Sequence, residues 1–257
     1  MQEATKTHSS CSICGTSAAE FVDFNNGEKR QCPTCNSLER QRVFKTLYES
    51  HAFGKDCLAG KKILHVAPSS SEDRILSSIP DTKIVTLDIG IRSKVDIKAD
   101  LACMPEAADD SFDAVYISGV FYMIHPQKLS PAIAEIARVL KPGGILFSWD
   151  KVNNNQKSKL DKNINSVIRT YGLENYNKYG VGEHWTFSIY DYEDFFSDFF
   201  HTALYCKIDK PTLSCVYYLK AICKKLRVEK TRTVASGRIW VMGRTVLQSL
   251  FSGKSEK

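Results

Sequence analysis

The stretch KKILHVAPSSSEDRIL, Lys61 to Leu76, decides how the rest of the chain is read. Lys61–Val66 has the aliphatic content of a strand, HVAPSSSE (His65–Glu72) is a turn of small residues, and Asp73–Leu76 reads as the start of a helix. Strand, small-residue turn, helix is the first unit of a nucleotide-binding α/β domain, where the turn is normally rich in glycine. This turn contains no glycine. It is either a ligand-binding loop in altered form or only the cap of a helix.

The segments that follow repeat the alternation. Lys83–Leu87 (KIVTL) reads as a second strand ending at Asp88, Val95–Ala99 as a short third ending at Asp100, and Phe112–Ser118 (FDAVYIS) as a fourth. Leu129–Leu140 carries an apolar helical stripe of Ile133, Ile136, Ala137 and Leu140. Lys141-Pro142-Gly143-Gly144 ends it, and Ile145–Trp149 makes a fifth strand. Such alternation predicts an α/β fold with a doubly wound, mostly parallel sheet, its ligand beyond the carboxyl ends of the strands. Further on, Asn163–Tyr171 and Asp191–Phe199 read as helices, the latter capped by Asp191. Ala203–Ile208 and Ser214–Lys220 read as two strands suited to an antiparallel closing hairpin.

Upstream, Cys11-Ser-Ile-Cys14 and Cys32-Pro-Thr-Cys35 are two CxxC pairs separated by 17 residues. Each pair can turn both thiolates toward one tetrahedral zinc ion, and metal binding replaces the core that so short a segment cannot build. Gly15 and Asn36 follow the pairs, where a left-handed residue helps the turn. Cys11, Cys14, Cys32 and Cys35 are therefore the expected metal ligands; Cys57, Cys103, Cys206, Cys215 and Cys223 are expected as free thiols. Ser37–Ser50 reads as a helix capped by Ser37, with an apolar stripe of Val43, Phe44, Leu47 and Tyr48. Its Arg40 and Arg42 either touch substrate or hold the knuckle to the main domain.

The chain has 257 residues, 43% hydrophobic and 25% charged, which suits one large domain and a small one. No apolar run approaches the roughly 18 residues of a spanning helix. The opening MQEATKTHSS lacks a signal-peptide core, so a cytoplasmic protein is expected. Nine cysteines in such a chain suggest metal ligands and buried thiols rather than a disulfide framework. The net charge is +6, yet from Lys224 onward nine Lys and Arg face only Glu229 and Glu256, so residues 1–223 carry about −1. The basicity belongs to the tail.

Within residues 61–150 the ordered set HVAPSSSE, TLDIG, KADLACMP, DDSFDAVYISGVFYMI and AEIARVLKPGGILF resembles a class I S-adenosylmethionine-dependent methyltransferase. More narrowly the chain resembles a bacterial subgroup with an N-terminal CxxC…CPxC zinc knuckle and an HxAP first motif, whose following helix begins S-x-x-R-x-R as Ser37–Arg42 does here. The resemblance implies a Rossmann-like seven-stranded sheet with S-adenosylmethionine as cofactor and zinc in a structural role. It also implies a residue set. Asp88 takes the ribose hydroxyls. Asp100 takes the adenine amino group, with Ile89 and Leu101 against the ring. Ser118 and Gly119 lie where the methyl-bearing sulfur sits. In the first motif Ala67, Ser69 and Ser71 stand at the glycine positions. Close approach of a ligand survives there, but free access to positive φ does not. The serines and the N–H groups opening the helix can bind the methionine carboxylate. His65 occupies the position of the usual acidic residue, with Glu72 as the substitute for the ammonium group.

The domain boundaries expected are a knuckle over 1–36, a linking helix over 37–60, a methyltransferase domain over 61–224 and a basic tail over 225–257. Methyl transfer is an in-line displacement that depends mainly on alignment, and an oxygen nucleophile calls for a base. The candidates are Tyr122 and His125 after the fourth strand and His184 in GVGEHWTF. His184 stands first because Gly180, Gly182 and Trp185 suggest a substrate-facing loop. The leading function is methyl transfer to a small-molecule or glycan acceptor. Two alternatives stay open: an RNA methyltransferase gripping RNA with knuckle and tail, and a catalytically silent binding module. In the tail, Gly237–Phe251 places Ile239, Met242, Val246 and Leu250 on one helical face, suited to packing on its own domain or a second subunit. A peripheral contact with the inner membrane surface, helped by the basic run before it, is the alternative. A monomer or homodimer is expected.

Overall fold

The structure is a computed structural model, and it describes residues 9–18, 21–23, 29–51, 56–89, 94–124, 126–153, 159–161, 184–209 and 214–225. The proposed helix over 163–171, His125 and the basic tail beyond Lys225 lie outside them. Among the described residues no helix is long and apolar enough to cross a membrane.

Two small hairpins come first: β1 (Ser9–Ser10) with β2 (Ser17–Ala18), and β3 (Val22–Asp23) with β4 (Lys29–Gln31). The first encloses the Cys11–Cys14 turn, and the second leads directly into the Cys32–Cys35 turn. Helix α1 (Glu39–Glu49) follows. Ser37 is not its cap, contrary to the expectation; the Gln41 side chain accepts from the Leu38 N–H at 3.0 Å, and the Ser37 hydroxyl turns to the cysteine sulfurs instead.

The main sheet is built from β5 (Lys62–Val66), β6 (Lys83–Asp88), β7 (Ile97–Lys98), β8 (Phe112–Ser118), β9 (Leu140–Asn153), β12 (Phe200–Asp209) and β13 (Ser214–Cys223). Their order across the sheet is β7-β6-β5-β8-β9-β13-β12. All neighbours from β7 to β9 are parallel, and β13 runs antiparallel to both β9 and β12. The alternation predicted this doubly wound, mostly parallel sheet with a closing antiparallel hairpin, and the resemblance its Rossmann-like seven strands; the observed sheet has nine among the described residues. Two shorter strands, β10 (Lys159–Asp161) and β11 (His184–Ser188), continue beside the far end of β9.

Side-chain alternation sorts the core into two layers. On one face Ile63, Ala114, Tyr116, Phe147 and Trp149 pack against Phe44 of α1 and against Ile75 and Leu76 of α2 (Ser70–Ser77). Phe44 stacks 4.6 Å from Tyr116 and edge-on to Phe147, so Phe44 fastens α1 to the sheet. On the other face Leu64, Val66, Val115, Ile117 and Leu146 meet Leu129, Ile133 and Ile136 of α3 (Pro126–Val139) and Tyr192 and Phe196 of α4 (Ile189–Ser197).

The boundaries differ from the reading in instructive places. Helix α2 begins at Ser70, three residues before Asp73, because Ser69 is already extended and its carbonyl accepts from the N–H groups of Glu72 and Asp73. Helix α3 starts at Pro126 rather than Leu129, and α4 starts at Ile189, which puts Asp191 in the first turn rather than at the cap. The fifth strand spans Leu140–Asn153, since Leu140 already pairs with Phe112 before the Pro-Gly-Gly turn.

Candidate functional site

The carboxyl ends of β5, β6, β8 and β9 bring Ala67, Asp88, Ser118-Gly119 and Asp150 to one edge of the sheet. Ala67 adopts φ +50°, and its N–H donates to the Leu87 carbonyl at 2.7 Å. The loop thus makes the left-handed turn that glycine makes freely, at a cost of about 1–2 kcal/mol for a residue with a Cβ. Ser69 is both the third residue of the loop and the N-cap residue of α2, so the same segment serves as loop and as helix cap.

Beneath this loop lies a buried charge cluster. His65 is fully buried, with Nδ1 3.0 Å from Asp73 Oδ1 and its ring edge-on to Tyr116. Among the described residues its Nε2 makes no hydrogen bond but stands 3.5 Å from Glu72 Oε2, an electrostatic contact. Glu72, 2% exposed, accepts from Ser69 Oγ at 2.7 Å, from Ser118 Oγ, and from Gln41 Nε2 at 3.4 Å. Its carboxylate therefore joins the loop after β5, the tip of β8 and helix α1. Burial opposes charge on both residues. For His65 the two carboxylates outweigh burial and raise its pKa; for Glu72 the imidazolium and the hydroxyl donors outweigh burial and lower it. The arrangement is a buried ion pair at the position where the first motif ordinarily supplies an acid.

Asp88 ends β6 half-buried, and its carbonyl accepts from the Ala99 N–H, which joins β6 to the third strand; Ile89 follows, half-buried. Asp100 caps its own turn, accepting from the Ala102 N–H at 3.0 Å, and pairs with Lys128 at 3.1 Å. Leu101 is buried in the core. Ser71 is buried with its hydroxyl on the Cys35 carbonyl, 3.1 Å away. Gly119 has φ +61°, and a Cβ there would come within 2.9 Å of the Trp149 ring, so glycine is required on both counts. Arg40 lies 4.9 Å over that same ring. Tyr122 sits in a 3-10 turn (Phe121–Met123) after β8. His184 is the first residue of β11 and pairs in register with Asp161, and Trp185 follows it in the strand. The described residues bring the cofactor candidates to one edge; of the base candidates, Tyr122 lies in a turn that packs beside β11, the strand His184 opens, and His125 lies outside the described residues.

One buried acid at this edge escaped the sequence reading. Asp150, near the end of β9, is wholly buried and accepts from Tyr192 OH at 3.0 Å and from the Tyr122 N–H at 3.3 Å. Burial pushes its carboxyl up to about 7, against the pull of the Tyr192 hydroxyl and the backbone donors. Ser148 extends the chain with a 2.8 Å bond to Tyr192. The signal was available, because a carboxylate at a strand tip is the rule that singled out Asp88.

The four cysteines converge as their spacing predicts. All four sulfurs lie within 4.8 Å of one another, with Cys11–Cys35 and Cys14–Cys32 each at 3.7 Å. Four thiolates at about 2.3 Å from a tetrahedral zinc stand about 3.8 Å apart, so the donor set and spacing fit. Gly15 (φ +72°) and Asn36 (φ +58°) supply the left-handed turns, their N–H groups returning to the carbonyls of Cys11 and Cys32. Arg42 donates to the carbonyls of Ser37 and Arg30 and covers the Phe21 ring, so it fastens knuckle to helix. Cys57, Cys103 and Cys223 are free thiols. A recess of about 450 Å³ at the opposite end of the sheet, around Lys61 and the Pro142-Gly143-Gly144 turn, is remote from all these groups.

Residues 82–148 match the family described as "Methyltransferase domain". A search of the curated proteins finds no match to the sequence. Among solved structures, the PH0226 protein from Pyrococcus horikoshii OT3 is 17% identical, with 74% of this chain and 94% of that one covered and a TM-score of 0.52. The Burkholderia thailandensis 1,6-didemethyltoxoflavin-N1-methyltransferase, solved with its substrate and S-adenosylhomocysteine, is 11% identical over 72% of this chain and 78% of that one, with a TM-score of 0.50. The [4+2]-cyclase SpnF is 12% identical over 79% and 86%, with a TM-score of 0.53. The strand order, the domain match and these similarities together give the chain a Rossmann-like methyltransferase fold.

Proposed function

We propose that the protein is an S-adenosylmethionine-dependent methyltransferase acting on a small-molecule or glycan acceptor, with a structural zinc in its N-terminal knuckle. The observation that carries the reading is the turn at Ala67. The chain bears the strain of a left-handed alanine to keep the loop geometry of a cofactor site, and a mere helix cap needs no such turn. The Burkholderia relative binds S-adenosylhomocysteine on the same fold. Fold alone does not fix chemistry, as the cyclase shows, so the reading rests on that loop together with the residues at the neighbouring strand tips.

In this reading Asp88 accepts from the ribose hydroxyls, Asp100 and the backbone after it face the adenine, and Ile89 and Leu101 flank the ring. Ser69 and the first N–H groups of α2, that of Ser71 among them, receive the carboxylate end, while the Ser71 hydroxyl stays on the Cys35 carbonyl and Glu72 offers its charge to the ammonium. Ser118 and Gly119 border the reacting centre, with Gly119 leaving room for the Trp149 ring. The bound cofactor supplies an electrophilic methyl group. The protein's own part is to align the acceptor and exclude water, with Tyr122, His125 and His184 as candidates to take a proton. Cys11, Cys14, Cys32 and Cys35 hold the zinc and take no part in the methyl transfer itself.

A catalytically silent binding module is the second reading. Its support is the Glu72 carboxylate, which already has three donors and His65 around it, so an ammonium has to displace a hydroxyl. Calorimetry of the full-length, zinc-loaded chain with S-adenosylmethionine decides between them. One saturable site is expected, and Asp88→Ala should weaken it by about 2 kcal/mol through loss of a charge-assisted acceptor. Asp100→Ala should cost less, because Lys128 and the Ala102 N–H already share that carboxylate. No binding heat from the wild type overturns the methyltransferase reading.

A further inference from the structure

The knuckle does not stand apart from the sheet. Its last cysteine, Cys35, receives the Ser71 hydroxyl on its carbonyl at 3.1 Å, and Ser71 belongs to the first turn of α2, directly after the loop. The Cys35 sulfur also meets Ser37 Oγ at 3.1 Å. One turn along α1, the Gln41 amide works at both ends. Its oxygen accepts from the Leu38 N–H at 3.0 Å, which closes the start of the helix leaving the knuckle; its nitrogen donates to Glu72 at 3.4 Å. Ser37, Gln41, Ser71 and Glu72 are all at most 5% exposed, so these bonds form in a region of low dielectric where a lost partner is not replaced by water. Two separate paths thus run from the metal-binding turn to the loop after β5: Cys35–Ser71, and Ser37–Leu38–Gln41–Glu72.

We infer that the cysteine knuckle is a working part of the cofactor site. Gln41 and Ser71 are positioning residues that pass the metal-held geometry of the Cys32–Cys35 turn to the Glu72 carboxylate and the start of α2. This rests on the methyltransferase reading, since the ligand whose affinity they set is S-adenosylmethionine. Thermodynamic linkage then requires the effect to run both ways: zinc tightens cofactor binding, and cofactor tightens zinc binding by the same factor.

The test uses full-length protein and two binding measurements, neither of which depends on turnover. Cofactor affinity comes from calorimetry, and zinc affinity from competition with a chelating indicator, with and without saturating S-adenosylmethionine. In the wild type the cofactor should raise zinc affinity about five-fold or more, the lower end of ordinary coupling. In Gln41→Met/Ser71→Ala, cofactor affinity should fall about ten-fold and the cofactor should no longer change zinc affinity, while the zinc content stays at one per chain. Ser71→Thr keeps the hydroxyl and should restore part of the coupling, which a general loosening of the fold does not explain. Wild-type protein that binds cofactor with no change in zinc affinity overturns the inference alone. So does a double variant that retains the wild-type coupling factor, and so does one that loses its zinc, because the relay residues would then be holding the knuckle itself. A wild type that binds no cofactor overturns the methyltransferase reading and this inference with it.

Discussion

The knuckle and the loop after β5 meet the same backbone demand with different residues. Each needs a left-handed residue to turn a short segment toward a ligand position. The knuckle uses Gly15 and Asn36, which adopt that conformation at little cost, whereas the loop uses Ala67, which does not. Among the described residues the knuckle's hydrophobic cluster contains little beyond its cysteines, with Ile13 and Phe21 at the edge, so on the zinc reading proposed above its geometry depends on the metal. The loop is held by its surroundings: the Leu87 carbonyl takes the Ala67 N–H, and the Glu72 carboxylate gathers Ser69, Ser118 and Gln41 below it. A relaxed backbone with an external clamp stands beside a strained backbone with an internal one. The two are thus expected to fail in different ways.

The largest effect should come from removing the external clamp. Cys32→Ser replaces a fully buried sulfur that stands 3.7 Å from Cys14. Zinc content measured on purified protein should drop from one per chain to near zero, and the N-terminal segment should become sensitive to protease while the main sheet keeps its circular dichroism. A variant that retains one zinc excludes the four-cysteine site.

Next comes the internal clamp. Glu72→Gln leaves His65 buried beside Asp73 alone and should destabilise the protein by about 3 kcal/mol, as removing one partner of a buried ion pair does. The pH dependence carries the sign. Glu72 has a lowered pKa, so its contribution is present above its ordinary value of about 4.3 and is lost as pH falls through its folded pKa. His65 has a raised pKa, so its contribution is complete below about 6.5 and is lost as pH rises through its folded pKa. Asp150, raised to about 7, acts in the same direction, since its buried neutral form loses ground to the ionised unfolded chain between about pH 4 and 7. The wild-type melting temperature should therefore be highest near about pH 4.5, fall from there to about pH 7 as the Asp150 contribution is lost, and fall further above about pH 6.5 as His65 gives up its proton. In Glu72→Gln the acid limb should flatten. A wild-type profile that rises steadily to pH 8 excludes the ion pair.

These two clamps were not equally legible in the sequence. The cysteines announce themselves because a metal site needs fixed spacing within a few residues, and Gly15 and Asn36 follow from the same local geometry. Asp88, Gly119 and the strand order were legible for a related reason: strand tips and breakers are local signals. The role of Glu72 was visible only in part, because the helix start was placed at Asp73 and the contact with Ser118 spans 46 residues. Gln41 and Asp150 were missed. Each acquires its meaning from a partner brought close by the fold, Glu72 for one and Tyr192 for the other, and no periodicity or spacing records such a pairing.

The smallest effect sharpens the comparison most, because it is one of sign. Gly15→Ala places a Cβ at φ +72° in a turn with open space around it, so the penalty is purely conformational, about 1 kcal/mol. Ala67→Gly does the reverse at φ +50°. It relieves a penalty of about 1–2 kcal/mol, and it loses about 0.5–1 kcal/mol through the greater freedom of glycine in the unfolded chain. It also loses a methyl group that packs on the core beside the loop. The net should lie between zero and a gain of about 1 kcal/mol, read as a small rise in melting temperature, with cofactor affinity unchanged or improved. Opposite signs for the same pair of residue types would show that the loop carries strain which the knuckle avoids. If Ala67→Gly lowers the melting temperature by several degrees, packing at the methyl outweighs backbone strain. The loop would then be held in its left-handed turn by its side chain, and the distinction between the two regions would not stand.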